Sequence, residues 1–385
     1  MAPETEFTKH SPLTWLMATR KRFLMLPLGI TAFRALIAII LYSTLRVGGV
    51  FSVPFMDIWE PKLPFDWLYL FSAWDSIFYR GIALYWYPTK PTALWAFLPL
   101  YPATVKLIAL SGIDTELGAL IISIICSLAS IVVFQQIAER YMDKTQALIA
   151  TTMYFLFPPV FVFSAATYPE SMFLLFTLVS WRLHQEKSDL RASVAAALSS
   201  LIRWEGFFLV IPLLYDFTRQ KQFKKITYLL IPLAAIAGWE VYGFVITGFW
   251  LPTLAAYRFW STAQSRAVAL AVRQLIEGNR SSIAILLPYS WLIAAILASL
   301  VAVVFLAWRV WRIDKALCIY VLTSVFILAV TTRVAYRSFP RVLGFFFPIG
   351  LAMHTRKTKL LIVVIILFLV VDYFAWLAFL TDGFY

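Results

Sequence analysis

The 385-residue sequence has few charged residues, only two cysteines and only three histidines, and each shortage excludes a class of protein. Charged side chains make up 14% of the chain, against about a quarter in soluble domains. Hydrophobic residues make up 62%, and the mean hydropathy is +0.81. A soluble globular fold is therefore excluded, and the sequence predicts an all-α integral membrane protein that forms one transmembrane domain over residues 1–385.

Metal and nucleotide motifs are missing as well. Cys126 and Cys318 lie in apolar runs, without a second thiol or a histidine at metal-ligand spacing, so we expect both to be packing residues. The sequence has no glycine loop followed by Lys-Ser/Thr, no His-Glu-x-x-His helix and no Asp-x-Asp pair in its long loop. Nucleotide hydrolysis and zinc chemistry are disfavoured, nothing supports a divalent metal, and we expect no cofactor.

Apolar stretches of about 20 residues, the length that crosses a bilayer core, recur from Phe23 to the C-terminus. Eleven spans put every short basic loop on the side of the Arg20-Lys21-Arg22 cluster, as the positive-inside rule requires. The predicted spans are 23–45, 118–138, 145–166, 169–183, 190–204, 206–217, 225–247, 283–309, 315–333, 340–353 and 359–380. This topology predicts a cytoplasmic N-terminus and two external loops, 46–117 and 248–282.

The long first external loop is rich in tryptophan and tyrosine, whose rings favour the headgroup region. We expect it to form juxtamembrane helices on the outer surface, with 97–110 as an interfacial or re-entrant helix. The predicted spans 169–183, 190–204, 206–217 and 340–353 run about 12 to 15 residues, too few to cross fully at 1.5 Å per residue. We expect hairpins that enclose a cavity open to the outside, with a site at their outer turns.

Three carboxylates stand out on the predicted outer side. Asp75 lies in the first loop, where it is either a solvated group, a partner for Arg80 or a functional residue. Glu170 and Glu205 occupy equivalent outer turns, where they either cap helices, pair with Arg203 or take part in a site. The histidines all fall at predicted cytoplasmic ends, so an external reaction would need a carboxylate or a tyrosine as its base.

Positive charge also gathers on the outer side, where it is not expected. Arg333, Arg337 and Arg341 lie within nine residues. A guanidinium is a planar fork that matches phosphate oxygens, so the cluster indicates either a specific anionic group or ordinary anionic lipid.

Several short segments resemble, in order, the PIG-V family of membrane mannosyltransferases, which includes the second mannosyltransferase of glycosylphosphatidylinositol assembly and prokaryotic relatives. These segments are Trp74-Asp75-Ser76, Phe97-Leu98-Pro99-Leu100-Tyr101-Pro102, Tyr168-Pro169-Glu170-Ser171 and Arg203-Trp204-Glu205-Gly206. The resemblance runs from about residue 70 to 215, with weaker support at 337–341. The chain departs from the family at Pro169 and Glu205, where the family tends to have Thr and a smaller polar residue. Its compact loops favour a prokaryotic relative.

The resemblance implies a GT-C fold and a polyprenyl-phosphate-linked mannose as donor. Asp75 would be the general base in an inverting transfer to a lipid- or glycan-linked hydroxyl, at the extracellular or lumenal face. The candidates for binding the phosphate of the donor are the outer arginines Arg337, Arg341, Arg333 and Arg203. The substrate-binding candidates are Trp74, Arg80, Tyr101, Tyr168, Glu170 and Glu205. Membrane lipids are the other expected partners, and nucleic acid is not expected.

Two other classes stay open. A multi-span transporter or lipid flippase would also have intramembrane charges and broken helices. A non-catalytic subunit of a membrane assembly is the third class. All candidate residues lie on one predicted face, which favours an enzyme over a transporter with access to both faces.

Overall fold

The computed structural model describes residues 22–47, 66–256, 301–331 and 339–380, together with the isolated positions 273 and 277. These residues form helices and connecting turns, and they contain no strand. Helices α1 to α8 are Arg22–Val47, Ser76–Tyr85, Leu100–Ala109, Thr115–Ala138, Lys144–Phe155, Pro158–Phe163, Glu170–Gln185 and Asp189–Ile202. Helices α9 to α15 are Val210–Arg219, Leu230–Thr247, 301–313, Lys315–Thr331, Phe339–Gly344, Pro348–Leu351 and Thr358–Leu380.

Four helical segments are long and apolar enough to cross a bilayer. They are Met25–Leu45, Thr115–Ala138, Phe223–Thr247 and Thr358–Leu377. Large apolar side chains such as Ile39 on α1 and Val363 and Ile366 on α15 point away from the protein, and lipid tails would cover them. The chain is therefore a membrane protein. The count of eleven spans and their orientation stay predictions, because four segments qualify by length and composition within the described residues.

Prolines divide some predicted spans into shorter helices. The predicted span 145–166 is two helices, since α5 ends at Phe155 and α6 begins at Pro158. Proline has no N–H to donate to the preceding turn, so it is tolerated in the first turn of a helix and not in its interior. The predicted span 340–353 likewise divides into α13 and α14, with Pro348 at the start of α14. The expectation that the short predicted spans, 340–353 among them, do not cross the bilayer fully stays a prediction.

Aspartates fix where two of the helices begin. Asp114 and Asp143 each accept hydrogen bonds from the backbone N–H groups two and three residues later, at 2.9–3.1 Å. These bonds satisfy N–H groups that have no partner inside the helix, which stabilises a helix by about 1 kcal/mol. They define the first turns of α4 and α5.

Helices α7 and α8 form a tight hairpin. The Thr177 and Ser199 hydroxyls lie 2.9 Å apart, and Ser180 Oγ donates to the Ala192 carbonyl at 2.8 Å. Because later residues of α7 contact earlier residues of α8, the two helices are antiparallel. The first residue of α7, Glu170, and the residue after α8, Arg203, therefore lie at the same end of the hairpin.

Some polar side chains inside the bundle bond to one another. Arg34 on α1 donates to the hydroxyls of Ser127 and Ser164, both at 2.7 Å. Cys126 and Cys318 are free and buried, which confirms the prediction that they are packing residues.

Candidate functional site

Residues 71–76 form a turn that places Asp75 directly before α2. Trp74 has a φ of +56°, a left-handed conformation that costs about 1–3 kcal/mol and that the surrounding contacts must hold in place. Its indole Nε1 donates to the Phe379 carbonyl at 2.7 Å, and Trp376 Nε1 donates to the Leu70 carbonyl at 2.9 Å. The last helix, α15, thus fixes the segment that carries Asp75.

Tyr168 supports the same turn from the start of the α7–α8 hairpin. Its hydroxyl donates to the Ala73 carbonyl at 2.8 Å and accepts from the Asp75 N–H at 3.0 Å. Burial raises the pKa of this phenol well above its ordinary value, and the nearby Asp75 carboxylate raises it further. The phenol is therefore neutral and serves as a backbone clamp. Its predicted contact with substrate stays a prediction.

Five charged side chains form a continuous chain of ion pairs. Arg341 Nη1 lies 3.0 Å from Asp75 Oδ2, and Arg341 Nε lies 3.2 Å from Glu170 Oε1. Arg203 Nη1 lies 2.8 Å from the same Glu170 oxygen, and its Nη2 lies 2.9 Å from Glu205 Oε1. Three carboxylates and two guanidiniums alternate, which leaves one negative charge in excess within this cluster.

The ion-pair chain becomes more accessible toward Asp75. The Asp75 and Arg341 side chains are 28% and 15% exposed, whereas those of Glu170 and Glu205 are 2% and 4% exposed. In each of these glutamates, Oε2 is buried without a hydrogen-bond partner. A buried acceptor without a donor costs about 1–3 kcal/mol, so both oxygens could accept from a bound hydroxyl group or water. The Asp75–Arg341 pair is therefore the more accessible end of the ion-pair chain.

The Arg341 guanidinium lies over two aromatic rings. Its Cζ lies 5.2 Å from the Phe163 ring centroid and 5.3 Å from the Tyr168 ring centroid. Cation–π contacts of this kind contribute about 0.5–2 kcal/mol, depending on how far the cation is desolvated. The two rings therefore help to hold the guanidinium in place.

A further carboxylate, Glu116, contacts the turn at 71–76 and was not among the predicted site residues. Glu116 is buried at the start of α4 and accepts hydrogen bonds from the hydroxyls of Ser72 and Thr167. Thr167 also bonds to Ser76 Oγ at 2.9 Å, and its backbone N–H donates to the Phe71 carbonyl at 2.9 Å. One buried carboxylate thus ties together both sides of the segment that carries Asp75.

Only a weak signal in the sequence could have identified Glu116. The signal is a carboxylate in the first turn of a long apolar helix, which is normally explained by the favourable interaction of negative charge with the helix N-terminus. Its hydroxyl partners lie 44 and 51 residues away along the chain, so no local pattern connects them with it.

Replacement of Glu116 by alanine is expected to lower the kcat of the reaction proposed below by about 10- to 100-fold, because a misplacement of about 1 Å costs that much. KM for the donor should change little, since Glu116 contacts only the turn. Glu116→Gln keeps one oxygen acceptor and should recover part of the kcat. Steady-state kinetics with Glu139→Ala, a change at the other end of α4, is the matched control. A rise in KM without a change in kcat would contradict this positioning role.

The other predicted site residues lie around the ion-pair chain or outside the described residues. Tyr101 is fully buried, with its ring 5.2 Å from that of Tyr79, and it lies in the packing behind the site. Arg80 is partly buried on α2, where its charge acts on Glu116. Arg333 and Arg337 lie outside the described residues. Their predicted roles stay predictions.

The described part of the chain brings no three histidine, cysteine, aspartate or glutamate side chains together as a metal site. The expectation of a metal-independent reaction stays a prediction.

No protein-family model matches the chain, and no curated protein matches it. Among solved structures, the chain is similar to the oligosaccharyltransferase of Archaeoglobus fulgidus, crystallised with zinc and sulfate. The similarity has a TM-score of 0.41 and a sequence identity of 14%, and it covers 82% of this chain and 48% of that one. The chain thus spans about half the length of the archaeal oligosaccharyltransferase.

Proposed function

We propose that this chain is a GT-C membrane glycosyltransferase of the PIG-V type. It moves a sugar, with mannose the first candidate, from a polyprenyl-phosphate donor to a hydroxyl group of a lipid- or glycan-linked acceptor at the non-cytoplasmic face. The observation that carries the proposal is the accessible pair of Asp75 and Arg341, which sets a carboxylate directly beside a guanidinium. Such a pair supplies a proton acceptor and a phosphate-binding cation for one displacement reaction.

In the proposed reaction, Asp75 accepts the proton of the acceptor hydroxyl as its oxygen attacks the anomeric carbon. The new carbon–oxygen bond forms on one face of the sugar, and the bond to the phosphate oxygen breaks on the opposite face. Its electron pair leaves with the polyprenyl phosphate. Configuration at the anomeric carbon is inverted by this single displacement. The phosphate is already a good leaving group, so no nucleotide is needed.

Arg341 stabilises the negative charge that develops on the departing phosphate. A preorganised hydrogen-bond donor of this kind raises a reaction rate by about 10²–10³-fold when negative charge develops beside it. The guanidinium is well suited because it lies over two aromatic rings and has five N–H groups, more than its two ion pairs use. Arg333 and Arg337 are proposed as additional phosphate ligands from their place in the sequence.

Arg203 has a different place in the proposal. Both of its Nη atoms already bond to carboxylates, one to Glu170 and one to Glu205. We assign it mainly the task of holding these glutamates, whose free Oε2 atoms can accept hydrogen bonds from hydroxyl groups of the sugar or the acceptor. Hydroxyl-rich ligands fit this arrangement, because each unpartnered oxygen needs a donor.

The experiment is a transfer assay with the purified protein in proteoliposomes. Radiolabelled polyprenyl-phosphate mannose and polyprenyl-phosphate glucose are each supplied with a lipid extract of the source membrane, and labelled products are separated by chromatography. We expect one donor to give a product with inverted configuration at the anomeric carbon. Movement of intact donor across the bilayer without any product would contradict the proposal and favour the flippase class.

A further inference from the structure

The two arginines of the ion-pair chain are held very differently. Both Nη atoms of Arg203 bond to nearly buried carboxylates, those of Glu170 at 2.8 Å and Glu205 at 2.9 Å. Arg341 has one bond to the partly exposed Asp75, and its second ion pair is to a Glu170 oxygen that Arg203 already occupies. Of the two arginines, Arg341 is therefore the one whose partner can be exchanged at the smaller cost, because a partly exposed ion pair contributes less stability than a buried one.

Arg341 can change partners without leaving its position. A guanidinium has five N–H donors in a rigid fork, so it can bond to a phosphate while it stays in place. Its Cζ lies over the rings of Phe163 and Tyr168, and Glu170 contacts its Nε. Loss of the Asp75 contact would thus leave three of its contacts unchanged.

We infer that Asp75 and the phosphate group of a lipid-linked ligand compete for Arg341. When the phosphate binds, Arg341 turns its outer N–H groups to the phosphate oxygens and releases Asp75 Oδ2. The carboxylate oxygen that must take up the acceptor proton is then free only when the donor is in place. This inference rests on the proposed function and adds an order of binding to it, donor before acceptor, which limits unproductive reactions in the empty site.

Competition predicts that removal of the Asp75 charge strengthens phosphate binding while it removes the proposed base. We expect Asp75→Asn to bind citronellyl phosphate, a short isoprenyl phosphate, about 2- to 5-fold more tightly than the wild type. This change in affinity corresponds to the free energy that a partly exposed ion pair contributes. Arg341→Met should weaken the same binding by at least about 10-fold, as expected for a lost charge-assisted contact. Affinities are measured by isothermal titration calorimetry in detergent, with uncharged citronellol as the ligand control.

Glu186→Gln is the matched control variant. It also removes a partly exposed carboxylate that lies 2.8 Å from a guanidinium, but that guanidinium belongs to Arg182, at the opposite end of α7. We expect its affinity for citronellyl phosphate to stay within about 2-fold of the wild type. Equal tightening by both variants would overturn the inference, since overall charge and not competition for Arg341 would then set the affinity. Unchanged or weaker binding by Asp75→Asn would overturn it as well.

These binding measurements are independent of sugar transfer. If Asp75→Asn binds the phosphate more tightly but no donor supports transfer by the wild type, competition for Arg341 stands and the proposed function fails. If transfer occurs and the affinity of Asp75→Asn is unchanged, the function stands and the order of binding is wrong.

Discussion

Asp75→Asn is expected to lower the rate of sugar transfer by about 10²–10⁴-fold, the contribution of a general base. The amide cannot take up the acceptor proton, although it has nearly the same shape as the carboxylate and its oxygen can still accept a hydrogen bond from Arg341. Stability should fall by about 1 kcal/mol or less, because the ion pair is partly exposed. The measurement is the transfer rate in proteoliposomes beside the thermal unfolding temperature in detergent.

Two further variants make the result specific. Asp75→Glu keeps the charge but displaces it by one methylene group, and it should retain a small part of the activity. Glu186→Gln removes a carboxylate at the opposite end of α7, where it pairs with Arg182, and it should transfer sugar like the wild type. Near-full activity of Asp75→Asn would show that the assigned base is wrong.

Arg203→Ala is expected to cause the largest loss of stability. Its side chain separates Glu170 and Glu205, whose carboxylates are almost completely buried and lie beside it at 2.8 and 2.9 Å. Removal of one partner from a buried ion pair typically costs about 3–5 kcal/mol, because the other charge is left without compensation. We expect a strong fall in the thermal unfolding temperature, or loss of folded protein after detergent extraction.

The double variant Arg203→Ala with Glu205→Gln tests this explanation. It removes one of the two uncompensated charges, so it should be more stable than Arg203→Ala alone. Arg203→Lys should lie between the wild type and Arg203→Ala, since an ammonium group cannot bond to two carboxylates with the geometry of a guanidinium fork. An Arg203→Ala protein as stable as the wild type would mean that the glutamates do not depend on this charge.

The sequence by itself determined the class of protein and the ends of many helices. Composition and apolar runs predicted a helical membrane protein, and the structure agrees. Prolines, such as Pro158, and capping residues, such as Asp114, set helix boundaries through effects on a few neighbouring residues, but the predicted spans 118–138 and 145–166 did not use these signals. Pairing of Glu170 and Glu205 with Arg203 was one of the alternatives that the sequence left open, and the structure shows these pairs at one end of a short hairpin.

Contacts between distant parts of the chain were decided by the tertiary structure alone. Arg341 reaches Asp75 across 266 residues, and Trp74 meets the Phe379 carbonyl across 305 residues. Glu116 became a central residue of the site only when packing of α4 brought it beside Ser72 and Thr167. Such contacts depend on how the helices pack against one another. Local patterns in the sequence do not predict which distant polar side chains will be buried in contact. The sequence could therefore name candidate residues, but only the fold decided which of them lie together.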